Sequence, residues 1–290
     1  MKKVLIIIIT YNGMRWMERC LSSATASPDF ADVYVLDNNS SDGTADYVQR
    51  NFPSVILVRS KENLGFAKGN NEGFKYALEN GYDSVYLLNQ DAWITPETLP
   101  KLYSLAKSNP SFGILSPLQM QADGEHFNKA FGRDVMPAAK PVPDVKDILR
   151  VPFVMAAHWM ITRTCLEKVG LFASILPHFG NDDNYCHRVI YHGFSIGIVP
   201  SLKVIHDHQE KEKTVQQLVY QNYTMTVLVR LSDIRRPFLF GLIWMIPYTM
   251  VKSLRYRSLL PIKSIPQIIH QLPEVRCTRR LTRREGVREV

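Results

Sequence analysis

Asp37 directly follows the apolar run Val33-Tyr34-Val35-Leu36, and Asp91 follows Val85-Tyr86-Leu87-Leu88 across Asn89 and Gln90. A carboxylate just beyond a buried run can accept a hydrogen bond from a base or ribose. It can also ligate a divalent ion whose other positions are filled by diphosphate oxygens and water. Between the two acids, Asn63-Leu64-Gly65-Phe66-Ala67-Lys68-Gly69-Asn70 opens a helix with two glycines and two amide side chains. That set can bring backbone N–H groups close to a polar ligand. The turn Asn38-Asn39-Ser40-Ser41-Asp42-Gly43 adds acceptors, although Ser41 and Asp42 also suit capping of the next helix. A dinucleotide site would likewise place an acid after its second strand. It needs G-x-G-x-x-G after the first, where this chain has Thr10-Tyr11-Asn12-Gly13-Met14-Arg15.

Residues at strand ends need strands and crossovers behind them. Short apolar runs at 4–10, 32–37, 55–59 and 84–88 alternate with amphipathic stretches at 14–23, 43–51 and 65–80. This β-α-β-α-β-α-β order predicts an α/β fold with a mostly parallel sheet, right-handed crossovers and ligands at the carboxyl ends of the strands. The start Met1-Lys2-Lys3 followed by Val4-Leu5-Ile6-Ile7-Ile8-Ile9 could open a secretory signal. The apolar run is short, ends in Thr10-Tyr11-Asn12 and lacks a small-residue cleavage site, so it reads as a strand buried on both faces. Polar and Pro-rich residues 121–152 read as a long loop excursion. A second α/β stretch then runs from Val154-Met155-Ala156-Ala157 through helical segments at 163–169 and 182–192 to a final strand at 196–199.

The chain has 290 residues, of which 46% are hydrophobic and 21% charged, which excludes disorder as the main state. No segment reaches the roughly eighteen uninterrupted apolar residues of a spanning helix, which argues against a polytopic membrane protein. The net charge of +8 is not a nucleic-acid signature spread over the chain. Residues 230–290 hold 13 Lys and Arg against 4 Asp and Glu, leaving 22 against 23 for the first 229. The arginine-rich run at 276–288 lacks interleaved aromatics and a recognisable module, so no nucleic-acid partner is expected. Cys20, Cys165, Cys186 and Cys277 lie far apart, which fits neither a zinc ribbon nor a disulfide framework and suits a reducing cytosol. The tail stretch PFLFGLIWMIPYTMV, residues 237–251, is flanked by Arg235, Arg236, Lys252, Arg255 and Arg257. It suits either insertion at an anionic membrane surface or a core-packing helix with a solvated basic tail.

Four ordered motifs carry a resemblance: Ile8-Ile9-Thr10-Tyr11-Asn12, Val35-Leu36-Asp37-Asn38-Asn39-Ser40-Ser41-Asp42-Gly43, Asn63-Leu64-Gly65-Phe66-Ala67 and Leu87-Leu88-Asn89-Gln90-Asp91. Over roughly residues 3–208 the chain resembles family 2 glycosyltransferases of the GT-A fold, in the rhamnosyltransferase-like branch that builds bacterial surface polysaccharide. The resemblance implies a GT-A domain over 1–229, with a nucleotide-sugar half at 1–120 and an acceptor and catalytic half at 121–229. A helical basic and apolar extension at 230–290 would associate with membranes.

The same resemblance implies that Asp37 reads the uracil or thymine ring, while Thr10, Tyr11 and Asn12 line base and ribose. Asn39, Asn63, Gly65, Phe66, Asn70, Asn89 and Gln90 would complete the donor pocket. Asp91 matches the last acid of the family's D-x-D motif, which holds Mn²⁺ or Mg²⁺ against the diphosphate, and Asn89 replaces the first. Phe179-Gly180-Asn181-Asp182-Asp183-Asn184-Tyr185-Cys186-His187-Arg188 resembles the family's E-D-x-D segment. Asp182 aligns with its base, Asp183 is a neighbour that could substitute and touch the acceptor, and Asn181 and Asn184 stand where acids are usual. His206 would close the metal site, with His208 or Asp207 as substitutes. His158 and Trp159 fall where family members contact the acceptor.

The expected activity is inverting transfer from a UDP- or dTDP-sugar to a hydroxyl of a glycan or lipid-linked glycan, at the cytoplasmic face of the bacterial inner membrane. The competing expectation, raised by the missing acids at Asn89, Asn181 and Asn184, is a nucleotide-sugar-binding or scaffold protein without catalysis.

Overall fold

A computed structural model describes residues 3–176, 178–208 and 213–286. Met1 and Lys2 of the basic start and Arg288 of the basic run lie outside the described residues. The first part follows the expected alternation: β1 (Val4–Thr10), α1 (Met14–Ala24), β2 (Ala31–Asp37), α2 (Thr44–Asn51), β3 (Ile56–Arg59), α3 (Gly65–Glu79) and β4 (Ser84–Leu88). Then come β5 (Ala92–Trp93), α4 (Thr98–Ser108), β6 (Phe112–Met120), α5 (Lys129–Asp134), β7 (Lys140–Val142), β8 (Val145–Val151), β9 (His158–Thr162), α6 (Arg163–Val169), α7 (Asn181–Tyr191) and β10 (Ser195–His206).

The strands form one sheet in the order β3-β2-β1-β4-β9-β6-β10-β8-β7, with β5 paired to β10. β3, β2, β1 and β4 are mutually parallel, as are β6 and β10. β9 runs antiparallel between the two groups. The isoleucine run of β1 is explained by helices on both faces. Leu5 and Ile7 enter one apolar cluster, while Val4, Ile6 and Ile8 enter the other. α3 lies so close on β1 that a Cβ on Gly73 would come within 2.6 Å of the Ile7 side chain.

Two expectations are corrected. Residues 121–152 are not a bare loop, because they hold α5, a 3-10 turn at Met136–Ala138 and the β7–β8 hairpin. The prolines fit this arrangement: Pro137 opens the 3-10 turn and Pro141 sits on the edge strand, where no inner ladder bond is lost. The second α/β stretch opens with its first strand at His158. The final strand runs on past Val199 to His206 through a register shift between Val199 and Lys203, next to Pro200.

The described residues after 213 are mostly helical: α8 (Val215–Val219), a π-helical turn (Tyr220–Thr224), α9 (Met225–Ser232), α10 (Phe238–Tyr256), α11 (Leu260–Lys263), α12 (Ile265–His270) and α13 (Leu272–Thr282). They share a third apolar cluster with Ala173, Ile175 and Leu176. The division expected at 229/230 falls inside α9. No helix among the described residues is long and apolar enough to cross a membrane.

Candidate active site

The parallel register sets Thr10 beside Asp37, so the carboxyl ends of β1 and β2 finish together. Asp37 is 3% exposed; it accepts the Thr10 hydroxyl (2.9 Å) and the Ser40 backbone N–H (2.9 Å). The open cleft beyond these ends is lined by Thr10, Tyr11, Asn38, Asn63, Gly65, Phe66, Asn89, Gln90 and Asp91, with a volume of about 460 Å³. Gln90 locks its wall by accepting the Tyr11 N–H at 2.9 Å and donating to the Tyr11 carbonyl at 3.3 Å. Gly65 has φ of 75°, a backbone that an L side chain rarely adopts, and the Asn63 carboxamide oxygen accepts its N–H at 2.9 Å.

Four expected donor residues do not line this cleft; Asp37 is one of them, with one carboxylate oxygen accepting the Thr10 hydroxyl and the other the Ser40 N–H. Asn12 (φ 48°) turns its carboxamide oxygen to the Ser41 N–H, and Asn39 (φ 62°) points outward at the tip of the turn. Asn70 is buried and donates to the Phe66 carbonyl one turn back along α3. Asn38, read from the sequence as a turn acceptor but not as a donor-site residue, lines the cleft and holds the α3 entry by accepting the Leu64 N–H and donating to the Gly65 carbonyl. Its position directly after Asp37 was the available signal.

β5 and β10 pair antiparallel, with His206 opposite Ala92, which brings the far end of β10 to Asp91. The Asp207 N–H donates to the Asp91 carbonyl at 2.8 Å. The Asp91 carboxylate lies 3.6 Å from His206 Nε2 and 3.8 Å from His208 Nδ1, and one ligand atom from each of the three side chains lies within 4.8 Å of the others. His206 is 8% exposed and neither of its ring nitrogens makes a hydrogen bond. An orphaned His206 Nε2 beside the Asp91 carboxylate fits a divalent cation. Burial alone would raise the Asp91 carboxyl, but the hydrogen bond from His208 and the nearby charge of both histidines bring it below its ordinary value. Burial lowers His206 below its ordinary value, against the neighbouring charge of Asp91. Asp207 is directed elsewhere, toward the Trp16 indole N–H at 3.4 Å.

The second wall is built on α7. Gly180 at its N-cap is left-handed (φ 77°), and Asn181 and Asp182 begin the helix at the edge of a cavity of about 360 Å³. Asp182 and Asp183 are half-buried. Burial raises the Asp182 carboxyl above its ordinary range, against hydrogen bonds from backbone N–H groups. Burial, then the charges of Asp182 and Asp134, push Asp183 up to about 7. Phe66, Asn89, His178 and Phe179 line this cavity and the donor-side cleft alike, so the two are continuous. Asp91 therefore lines the donor-side part of one groove and Asp182 the adjoining part, whose wall also holds His206 and His208.

His158 and Trp159 are corrected as acceptor contacts. His158 is fully buried, bonded to the Tyr86 hydroxyl and the Ile205 carbonyl, and burial takes it down to about 3. Trp159 is sealed among Phe172 and Tyr185. β9 lies between β4 and β6, so its side chains enter the two packed faces of the sheet. Sequence reasoning missed Asn128, Asp134, His178 and Gln221 in the cavity wall. The first two stand in the stretch read as loop, and no local pattern marks the others.

Comparison with known proteins places this geometry. The model described as Glycosyl transferase family 2 matches residues 5–170, more than half of the chain. A low-salt glycan biosynthesis hexosyltransferase of Haloferax volcanii is 24% identical over 228 residues, 75% of this chain and 71% of the relative. A dTDP-rhamnosyl transferase of Shigella flexneri is 24% identical over 176 residues, 60% and 59% of the two chains. An N-acetylglucosaminyl-diphospho-decaprenol L-rhamnosyltransferase of Mycobacterium tuberculosis is 28% identical over 151 residues, 48% and 46%. Among solved structures, a mannosyltransferase of Pyrobaculum calidifontis in complex with GDP-Man and Mn²⁺ aligns with TM-score 0.60 at 17% identity, covering 97% of this chain and 84% of that one. TarS 1-349 of S. aureus in complex with UDP aligns with TM-score 0.57 at 16% identity, covering 82% and 68%.

Proposed function

The chain belongs to glycosyltransferase family 2, and from that premise we propose that it moves a sugar, with inversion, from a UDP- or dTDP-sugar to a hydroxyl of a glycan or lipid-linked glycan in bacterial surface-polysaccharide biosynthesis. The observation that carries this reading is the single groove whose donor-side part is lined by Asp91 and whose adjoining part is lined by Asp182. The nucleotide lies along Thr10, Tyr11, Asn38, Asn63 and Gly65, with its sugar directed past Phe66 and Asn89. Asp182 accepts the proton of the attacking hydroxyl as the new bond forms at the anomeric carbon and the diphosphate departs from the opposite face. A carboxyl raised by burial is a stronger base once ionised, which suits that proton transfer. Asp91, His206 and His208 would hold Mn²⁺ or Mg²⁺, and the mixed nitrogen and oxygen set favours Mn²⁺. Such an ion, when bound, supplies positive charge against the departing diphosphate.

The exposed apolar side of α10, with Arg235, Arg236, Lys252, Arg255 and Arg257 around it, supports peripheral attachment at an anionic membrane, the cytoplasmic face of the inner membrane in this reading. The test is turnover by the full chain over a panel of UDP- and dTDP-sugars with Mn²⁺ and alkyl glycoside acceptors. The expected result is release of the nucleoside diphosphate, lost on chelation and restored by Mn²⁺. Asp182→Asn should cut turnover by about 10³-fold while nucleotide affinity stays nearly unchanged. Near-full rate in that variant would remove Asp182 as the base, and no turnover with any donor would favour the non-catalytic alternative.

A further inference from the structure

We propose that Gln221, supplied by the C-terminal helices, is an acceptor-binding residue that donates an amide N–H to a sugar hydroxyl held beside Asp182. This rests on the glycosyl-transfer reading and deepens it. Among the described residues that line the Asp182 cavity, Gln221 alone comes from the C-terminal helices. It lies outside the stretch matched by the family. It lines the Asp182 cavity but not the donor-side cleft, so its partner is the acceptor.

The local structure serves this placement. Gln221 sits in the π-helical turn Tyr220–Thr224 between α8 and α9. Such a turn rotates side chains off the regular helical face and is costly unless something holds it. Here α10 holds it: the Tyr248 hydroxyl donates to the Asn222 carbonyl at 3.0 Å, and the Tyr223 and Thr249 hydroxyls bond at 2.7 Å. The Gln221 carboxamide oxygen accepts from Lys213 Nζ at 2.6 Å, which orients the amide. Its Nε2 makes no hydrogen bond within the described residues and remains to donate to a ligand. Phe153 and Met155 in the same wall offer an apolar surface to the C–H face of a sugar. An amide donor beside an apolar wall and a carboxylate base is the chemistry of a hydroxyl-bearing ring.

The experiment is Gln221→Ala in the full chain, assayed with whichever nucleotide-sugar and alkyl glycoside support transfer by the unaltered protein. Acceptor KM should rise about five- to tenfold, the factor expected for one lost neutral hydrogen bond. Donor KM and the slow hydrolysis of donor by water should not change. Gln221→Glu keeps the Lys213 contact but removes the N–H donors, and should show the same acceptor defect. Unchanged acceptor KM in both variants overturns the proposal and leaves the proposed function standing. Equal loss of donor hydrolysis and transfer also overturns it, because that pattern marks a general disturbance of the groove. An unaltered protein that transfers from no nucleotide-sugar defeats the proposed function and the Gln221 role together.

Discussion

Asp182 and Asp183 share the first turn of α7, and both carboxyls are held above their ordinary range by burial. A raised base becomes competent only as pH climbs through its raised pKa, so the acid-side fall in kcat/KM should lie above the ordinary carboxylate range. Asp183→Asn removes a negative neighbour and lets Asp182 ionise at lower pH. The acid limb of the kcat/KM profile should therefore move to lower pH in that variant. Two coupled carboxyls titrate as a pair, so the limb reports the pair in the unaltered protein and Asp182 alone in the variant. A limb that stays in place would mean that Asp183 does not face the base electrostatically.

The element that decides whether Asp182 meets a substrate is α7, and its neighbours fix it from two sides. Arg188, fully buried, donates to the Val169 and Leu171 carbonyls, and the Tyr185 hydroxyl donates to the Gly170 carbonyl at 3.0 Å. On the other side, the Asn184 amide donates to the Ser232 hydroxyl at 3.0 Å, joining α7 to the end of α9. Gly180 sits in this seam: it is left-handed, and a Cβ there would run into the Val229 side chain. Gly180→Ala should lower stability by about 2 kcal/mol or more, from the left-handed backbone and the forced shift of α9. Turnover should fall with it. Urea unfolding measures the first effect, and unaltered stability would show that α9 yields freely.

At the scale of the whole molecule, the C-terminal helices cover the Ala173–Leu176 segment with one side and expose another. Leu239, Ile243, Ile246, Met250 and Leu254 of α10 share helical spacing, and Ile243 and Ile246 are 59% and 63% exposed. A patch of this kind is a membrane or protein contact surface, and its basic flanks favour anionic lipid. Deleting residues from 237 onward would strip the cover from Tyr223, Leu228 and Leu231 in the third cluster, so truncation mixes detachment with unfolding. Ile243→Glu combined with Ile246→Glu is the cleaner change. Burial of each side chain in lipid contributes about 1.5–3 kcal/mol, so co-sedimentation with phosphatidylserine vesicles should weaken at least tenfold. The melting temperature should stay unchanged, since both side chains already face solvent. Equal co-sedimentation of the double variant would exclude this face as the contact.

The sequence by itself determined the first seven elements and the turns that leave their strands, with Asp37 at the end of β2 and Asp91 in the turn after β4. A buried parallel strand and the turn that leaves it are local patterns, written in β-branched runs followed by Asp, Asn and Gly. It could not say which side chains the turns would consume: Asn12 and Asn70 are occupied by backbone groups, while Asn38 reaches the cleft. Nor could it read hidden strands out of a proline-rich stretch, because β8 earns its place by pairing with β10. Tertiary structure alone joined His208 to Asp91 and His206, buried His158 and Trp159, and brought Gln221 to the cavity. The physical reason is common to all of these: whether a side chain faces ligand or core is settled by elements distant in the chain that pack against it, and no local window contains them.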